Sequence, residues 1–426
     1  MGALAWDLHG GHASMGCKTT ATSRLGRRFG ACASIAGAMG IVSPARADPL
    51  RLRGDALAET QGTSSPTGLI VLQGEEAVRS WIGVEGLVWA GTPSVTGDVL
   101  VLAVRVREPH GYAEARAGRF VLATGAVHPV QIDGAHVIAR APWGSSVETF
   151  GGLPVVPRFG ARSYDWLAGG RVAQRIASAV TLGVSYVQRR EDGEISNEEV
   201  GADLAAAPVR WLDLAAFGAY DVTSPGLAEA RASAAVRWRD WRFELFGSQM
   251  SPGRLLPATS LFSVLGDVAS QTVGATARWR AAPRLDLLAS GAGQDVAGGL
   301  GGNGWLRATL RLDDRGNGSL GLELRRVAVP GTEWTGVRAI AAVPLGKGFR
   351  YSSELEIVVP DEPDGRGVAW PWGLSALSWR SPKGWEVAGA LEASATPLHR
   401  YEADALVHLS YALGGPPPAT PAGGPR

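Results

Sequence analysis

The residues best suited to chemistry are charged side chains at alternate positions in the second half of the chain. Within residues 227–250, arginine and glutamate occupy odd positions before the turn at 239–240 and even positions after it, with mostly small or apolar residues between them, so one face is charged. Such a face can attract ions along a water-filled path. The alternative is that these residues form ion pairs between strands, each contributing roughly a few tenths to 1 kcal/mol. The parity predicts the following pore-lining residues: Arg231, Arg237, Arg242, Glu244, Arg278, Arg307, Arg311, Glu323 and Arg325.

No catalytic or metal-binding constellation of quality is found in the sequence. The histidines beyond the leader lie far apart, without the spacing of metal ligands. His136 could be drawn as a dyad with Ser145 or Ser146, but adjacent strands bring such pairs together by chance. The acidic residues within 361–364 could bind a divalent cation, although a solvated loop is the simpler interpretation. No P-loop, dinucleotide fingerprint or esterase elbow is present. We therefore expect no enzyme, no cofactor and no metal.

The elements that must position these side chains are β-strands. From Ala228 to Trp238 the even positions are small or apolar, and the odd positions are mostly polar. After the short turn at Arg239 and Asp240, the same alternation resumes. A period of two over about ten residues predicts a hairpin with one apolar face. No amphipathic helix in the sequence could cover that face, so we expect lipid to cover it, as in a transmembrane β-barrel.

Strand-like runs separated by turn residues extend from residue 50 to residue 413. The best count is twenty-two, and merging weak early runs would lower it to sixteen or eighteen. Connections after odd-numbered runs tend to be long or rich in glycine and proline, as in residues 152–164, 191–197, 251–267, 296–303 and 360–368. Connections after even-numbered runs are mostly tight. This alternation predicts an all-β, antiparallel up-and-down transmembrane barrel with both termini in the periplasm.

Tryptophan placement supports the barrel independently. Five tryptophans flank short turns, where an amphipathic ring would lie at the lipid headgroups. Core residues of a soluble sandwich, the alternative, would not cluster at one class of turn. The predicted membrane-interface girdle consists of Trp238, Trp241, Trp279, Trp379 and Trp385.

The longest external connection, residues 251–267, is unusually apolar. Apolar residues have no reason to project into bulk water, so this loop is expected either to fold inward as a constriction or to pack as a lid. The predicted constriction residues are Leu255, Leu256, Leu261 and Phe262.

The N-terminal residues 1–47 have the pattern of a secretory signal peptide. Basic residues precede an apolar core at 29–42, and Ala45-Arg46-Ala47 forms a small-x-small cleavage site. Met15 is a possible true start. Residues 48–413 would form the barrel and the Pro/Gly-rich residues 414–426 a disordered tail. N-terminal sequencing of the purified protein should find Asp48 first, and retention of residues 24–42 would contradict this prediction.

Two global features of the sequence exclude other classes of protein. Both cysteines lie within residues 1–47, so the remaining chain can form no disulfide and no thiol site. The leader holds five of the 41 basic residues and one of the 40 acidic residues, so the mature chain is slightly acidic. Nothing in this balance recruits nucleic acid.

One motif-like stretch, Ala115-Arg116-Ala117-Gly118-Arg119-Phe120, runs on through Gly125 to Ile132-Asp133-Gly134. It resembles strand pairs of bacterial outer-membrane porin-like barrels. The resemblance implies a channel in the outer membrane of a Gram-negative bacterium, with lipid and the barrel-assembly machinery as partners and small solutes passing without a cofactor. The last strand departs from the family, since it ends at Leu413 and not at an aromatic residue.

Arginine dominates the middle of the predicted wall and glutamate its end, so a basic arc would face an acidic one and would attract anions. The expected function is therefore passive diffusion of small polar or anionic solutes. The alternatives are a non-conducting structural or adhesion barrel, and an outer-membrane enzyme.

Overall fold

The computed structural model describes residues 51–413, except 62–66, 80, 93–95, 156–163, 178, 252–268, 297–298, 315, 363–367 and 396–400. These residues form one antiparallel sheet of 22 strands, in which each strand pairs with its neighbours in the chain. The first and last strands also pair, from Leu52 opposite Leu413 to Gln61 opposite Asp404, and this closes the barrel. Within the described ranges, no helix is long and apolar enough to cross a membrane.

The strands are β1 (Arg51–Gln61), β2 (Thr67–Arg79), β3 (Ile82–Gly91), β4 (Thr96–Arg107), β5 (Ala113–Leu122), β6 (Val130–Arg140), β7 (Ser145–Pro154), β8 (Tyr164–Ile176), β9 (Val180–Glu191), β10 (Glu194–Val209), β11 (Leu212–Asp221), β12 (Gly226–Trp238), β13 (Trp241–Met250), β14 (Ser270–Ala282), β15 (Leu285–Val296), β16 (Gly299–Arg311), β17 (Ser319–Val329), β18 (Thr332–Gly346), β19 (Phe349–Pro360), β20 (Trp370–Arg380), β21 (Trp385–Ser394) and β22 (Glu402–Leu413).

The predicted fold class and the count of twenty-two strands are confirmed. The predicted bounds of two connections, 191–197 and 296–303, are wrong. Residues 191–197 contain a two-residue turn, at which Asp192 and Gly193 have positive φ, and β10 begins at Glu194. Likewise β15 continues to Val296 and β16 begins at Gly299. Residues 194–197, Glu-Ile-Ser-Asn, lack the alternation of apolar and polar residues by which the other strands were recognised.

The two faces of the wall differ as the alternation predicted. On β13, Phe243 and Leu245 are exposed, with Leu245 at 65%, while Arg242 and Glu244 point the other way and contact each other. Val273 on β14 is opposite Gly247, on the same apolar face as Leu245, and is 72% exposed. Exposed aliphatic side chains on one face and ion pairs on the other define a lipid-compatible exterior and a polar interior.

The tryptophans of the predicted girdle lie at strand ends next to short connections. Trp238 and Trp241 are direct partners across the β12–β13 turn. The ring of Trp241 stacks on that of Trp279, with centroids 4.9 Å apart and planes 1° apart. Trp379 contacts Phe349, and Trp385 contacts Tyr411, with centroids 6.4 Å and 4.5 Å apart. Their location at a membrane interface stays a prediction.

Candidate pore lining and its inward loop

The connection between β5 and β6, residues 123–129, folds against the inner wall of the barrel. We call it the inward loop. Thr124, Ala126, Val127 and His128 are only 3–9% exposed. A connection that projected from the rim into water would be exposed, so this burial requires contacts with distant strands, and the contacts lie on β7 to β12.

An apolar cluster anchors the base of the inward loop. Val127 belongs to it, together with the residues on either side of the loop at the ends of β5 and β6. Burial of these side chains stabilises the inward position, at roughly 25 cal/mol per Å² of apolar surface removed from water. The members of the cluster are Ala103, Phe120, Leu122, Val127, Val130, Ile132, Phe150, Leu167 and Val187.

His128 is the principal polar anchor of the inward loop. Its backbone N–H donates to Glu199 Oε1 at 3.0 Å, and its Nδ1 bonds Glu199 Oε2 at 2.8 Å. On the other side of the ring, Nε2 lies 3.2 Å from Glu229 Oε2. Glu199 is 0% exposed, so the imidazole is clamped between a fully buried carboxylate on β10 and a second carboxylate on β12.

The charge state of His128 follows from this clamp. Burial by itself would lower the pKa of the imidazole, but the hydrogen bonds and charges of Glu199 and Glu229 outweigh it and raise the pKa to about 9. His128 is therefore cationic at neutral pH, and the loop is held by a charge-assisted contact on each side of the ring.

This raised pKa predicts that the loop loosens in alkali. The pKa of His128 is higher in the folded protein than its ordinary 6.5, so its contribution to stability is complete below about pH 6.5 and is lost as the pH rises through about 9. Single-channel conductance should therefore rise between pH 7 and pH 10, and the step should vanish in His128→Gln. His110→Gln serves as the control, because His110 is an exposed residue of the β4–β5 connection. A step that persists in His128→Gln would contradict the assignment.

A second anchor joins Thr124 to the wall. Its hydroxyl donates to Glu148 Oε1 at 2.5 Å, and His136 Nε2 bonds the same oxygen at 2.7 Å. The hydroxyl of Ser145 instead bonds Gln174. His136 is opposite Phe150, whereas Ser146 is opposite Arg140, so both serines lie four or more residues along the strand from the position opposite His136. The dyad of His136 with Ser145 or Ser146, weighed from the sequence, is therefore wrong. Over the ranges that the structure describes, no group of three or more His, Cys, Asp or Glu side chains could hold a metal ion.

The middle of the inward loop packs closely against Gly201 on β10. A Cβ at Gly201 would lie 2.8 Å from the Cβ of Ala126, so only glycine lets the loop approach β10 this closely. The Ala126 N–H donates to Ser185 Oγ at 3.3 Å. Beside these contacts, Arg171 bonds Asp203 across the wall, with Nε–Oδ1 at 2.9 Å. The wall under the loop is thus shaped for it by a glycine, a hydroxyl and an ion pair.

The arginines of the predicted basic arc are direct neighbours across three strands. Arg237 is opposite Arg242, and Arg242 is opposite Arg278. Like charges in this position repel one another. Each has one acidic contact: Arg237 with Asp213, Arg242 with Glu244 at 3.3 Å, and Arg278 with Asp286 at 3.7 Å.

The acidic contact of Arg278 is shared. Asp286 also contacts Arg280 at 3.7 Å and Arg311. One carboxylate therefore serves three guanidinium groups, and this part of the wall keeps an excess of positive charge that ions in the lumen would experience.

The wall beyond the basic arc is more evenly paired. Glu323, at 2% exposure, accepts from Arg307 and lies 3.1 Å from Arg325. Arg325 also contacts Glu356 at 3.2 Å, and Arg338 pairs with Glu354. Arg231 pairs with Glu229 on its own strand, at 2.6 Å. All nine predicted pore-lining residues therefore lie on the polar face and have an ion-pair partner. Strand pairing and a charged wall coexist, and the role of these residues in permeation stays a prediction.

The inward loop was missed by sequence reasoning, and the predicted constriction loop lies elsewhere. Leu255, Leu256, Leu261 and Phe262 fall within residues 252–268, outside the described residues. The only local signal of the inward loop was a seven-residue connection that contains a histidine and no acidic residue.

Comparison with known proteins gives a fold and no family. No family model and no curated protein matches the chain. The translocation pore of the P pilus usher PapC superposes with a TM-score of 0.50 at 10% identity, over 85% of this chain and 99% of that chain. PapC in an E. coli P pilus tip assembly intermediate gives a TM-score of 0.54 at 9% identity, over 87% of this chain and 62% of that chain. Pseudomonas aeruginosa OccK2 (OpdF) gives 0.40 at 12% identity, over 86% and 98%.

The similarity to the two PapC structures concerns the fold alone. For the fold, it confirms the resemblance to outer-membrane porin-like barrels that the sequence motif indicated.

Proposed function

We propose that the chain forms a porin-like channel in the bacterial outer membrane, through which small polar solutes diffuse passively and anions are preferred. The observation that carries the proposal is a closed ring of 22 strands with an apolar exterior and ion pairs on its interior. Barrels with this many strands enclose more space than their own side chains fill. The proposal includes delivery to the outer membrane by a signal peptide cleaved before Asp48 and insertion by the barrel-assembly machinery.

The anion preference rests on the arginines of β12 to β16. Three of them, Arg237, Arg242 and Arg278, face one another across neighbouring strands, and Asp286 is shared among three guanidinium groups. Guanidinium groups stay charged at any physiological pH. Because a low-dielectric wall focuses their field into the lumen, they would raise the local concentration of anions.

Removing these charges should change ion selectivity. In Arg237→Gln/Arg242→Gln/Arg278→Gln, the reversal potential under a KCl gradient should shift toward cation preference, and the shift should shrink at high salt as the Debye length falls below about 10 Å. The matched control is Arg210→Gln/Arg239→Gln/Lys347→Gln, which removes the same charge from short connections outside the wall. Equal reversal potentials in both triple variants would contradict a selective role for the arc.

A second candidate function is a barrel whose lumen is blocked. The observation in its favour is the inward loop, which with its apolar cluster fills the space in front of β7 to β10. Conductance in a planar bilayer separates the two candidates, because a blocked barrel would insert without passing current.

A further inference from the structure

Four tryptophans lie on the inner face of the barrel, away from the girdle. Trp305 is on β16, Trp334 on β18, and Trp370 and Trp372 on β20. Their sequence neighbours of opposite parity, such as Leu306 at 57% exposure, are on the lipid-compatible exterior. A Cβ added at Gly336 would lie 3.0 Å from the ring of Trp334 and 3.5 Å from Glu356 Oε1, so this indole shares the polar face with Glu356.

Each of three indole rings has an arginine beside its face. The guanidinium carbon of Arg307 is 5.2 Å from the ring centroid of Trp305, and that of Arg325 is 5.9 Å from Trp334. Arg338 is 5.8 Å from Trp372, whose N–H donates to Glu392 at 2.6 Å. The rings are half-buried. The part of each ring that is left exposed beside its arginine is apolar surface on the wall of an aqueous lumen, which a solute could cover.

Positive and negative side chains alternate around these indoles. Going from strand to strand, Arg307 is opposite Glu323, Glu323 opposite Arg338, Arg338 opposite Glu356, and Glu356 opposite Trp372. Donors and acceptors therefore alternate along one row with little net charge. This contrasts with the arginine row of β12 to β14, which is suited to anions. The indole region is suited to a neutral solute rich in hydroxyl groups.

We propose that the inner wall of β16 to β20 binds neutral oligosaccharides, and the proposal deepens the channel function on which it rests. A pyranose ring has a face of C–H groups that stacks on an indole, and an edge of hydroxyl groups that both donate and accept hydrogen bonds. The arginine–glutamate row supplies partners for that edge. Alternate strands are roughly 9.5 Å apart, twice the spacing of neighbours. Trp334 is opposite Pro360 on β19 and Trp372 is opposite Glu356, so these two indoles are also offset along the strands by four residues. The indoles therefore form an oblique row, along which separate parts of a chain of linked sugars would be contacted.

Binding should be measured by isothermal titration calorimetry of the purified mature barrel in detergent, with maltohexaose and cellohexaose as probes. Trp372→Ala should weaken binding about tenfold, the equivalent of losing one stacked aromatic contact. Trp379→Ala is the matched control, because Trp379 is on the same strand but on the outer face, where it contacts Phe349. If Trp372→Ala does not fold, Trp372→Phe should retain affinity and Trp372→Leu should lose it.

Failure of this inference is distinguishable from failure of the channel. A barrel that conducts ions but binds neither hexasaccharide overturns the oligosaccharide site and leaves the channel standing. Binding of a hexasaccharide in detergent, without conductance in a bilayer, would overturn the channel and leave the oligosaccharide site standing. Equal affinities for wild type and Trp372→Ala, or an equal loss in Trp379→Ala, would also overturn the site.

Discussion

Replacing Glu199 with alanine is expected to release the inward loop and to raise the single-channel conductance of the reconstituted protein. Glu199 is fully buried and binds both the backbone N–H and the imidazole of His128. Its removal leaves a buried cation with one carboxylate in place of two and an N–H without its acceptor, at a cost of about 3 kcal/mol. Planar-bilayer recording of Glu199→Ala beside wild type would measure the effect.

Glu198→Ala is the control for this experiment. Glu198 is one residue away but on the opposite face, where its carboxylate accepts from the hydroxyl of Tyr186 at 2.6 Å. The conductance of Glu198→Ala should equal that of wild type. If Glu199→Ala inserts, remains heat-modifiable on gels and conducts no better than Glu198→Ala, then the inward loop does not restrict the pore.

The contrast between Glu198 and Glu199 shows which features of the structure can be predicted from the sequence. Alternation is a local property, so the period of two assigned strands and faces from neighbouring residues alone. It located the wall residues, such as Arg242 and Glu244 on one face and Leu245 on the other. It could not locate the inward loop, because the contact of His128 with Glu199 spans 71 residues. No residue near His128 or Glu199 in the sequence indicates that the two are in contact.

The same limit applies to the fit between the inward loop and the wall. Gly201 reads as an unremarkable glycine in a strand, and only the close approach of Ala126 shows why a side chain is excluded there. The extent of β10 was underestimated for a different reason. Its first residues, 194–197, contain one apolar side chain, Ile195, and so lack the alternation by which strands were recognised. The pattern is informative where a strand has one apolar and one polar face, and it is uninformative where that alternation is missing.

The largest expected effect on stability is a charge on the outer face of β12. Ala232 lies near the middle of this strand, beside Ala216 and Gly247 and on the face that carries Leu245. Ala232→Arg would place a guanidinium near the middle of the membrane, which costs roughly 2–4 kcal/mol. The free energy of unfolding, measured by denaturant titration in lipid vesicles, should fall by this amount. Alanine at this position has no partner to lose, so the change reports the charge alone.

Ser233→Arg is the matched control, one residue further along the same strand. Ser233 faces the interior, opposite Phe246 on β13 and Ala215 on β11, so an added arginine there would reach water. Ala235, although on the same face, is unsuitable as a control because it is only 3% exposed and an arginine would not fit. A lipid-exposed wall requires that the two arginine variants differ, with Ala232→Arg the less stable. Equal losses would mean that both faces of β12 meet the same solvent, and the barrel would then not span a bilayer at this strand.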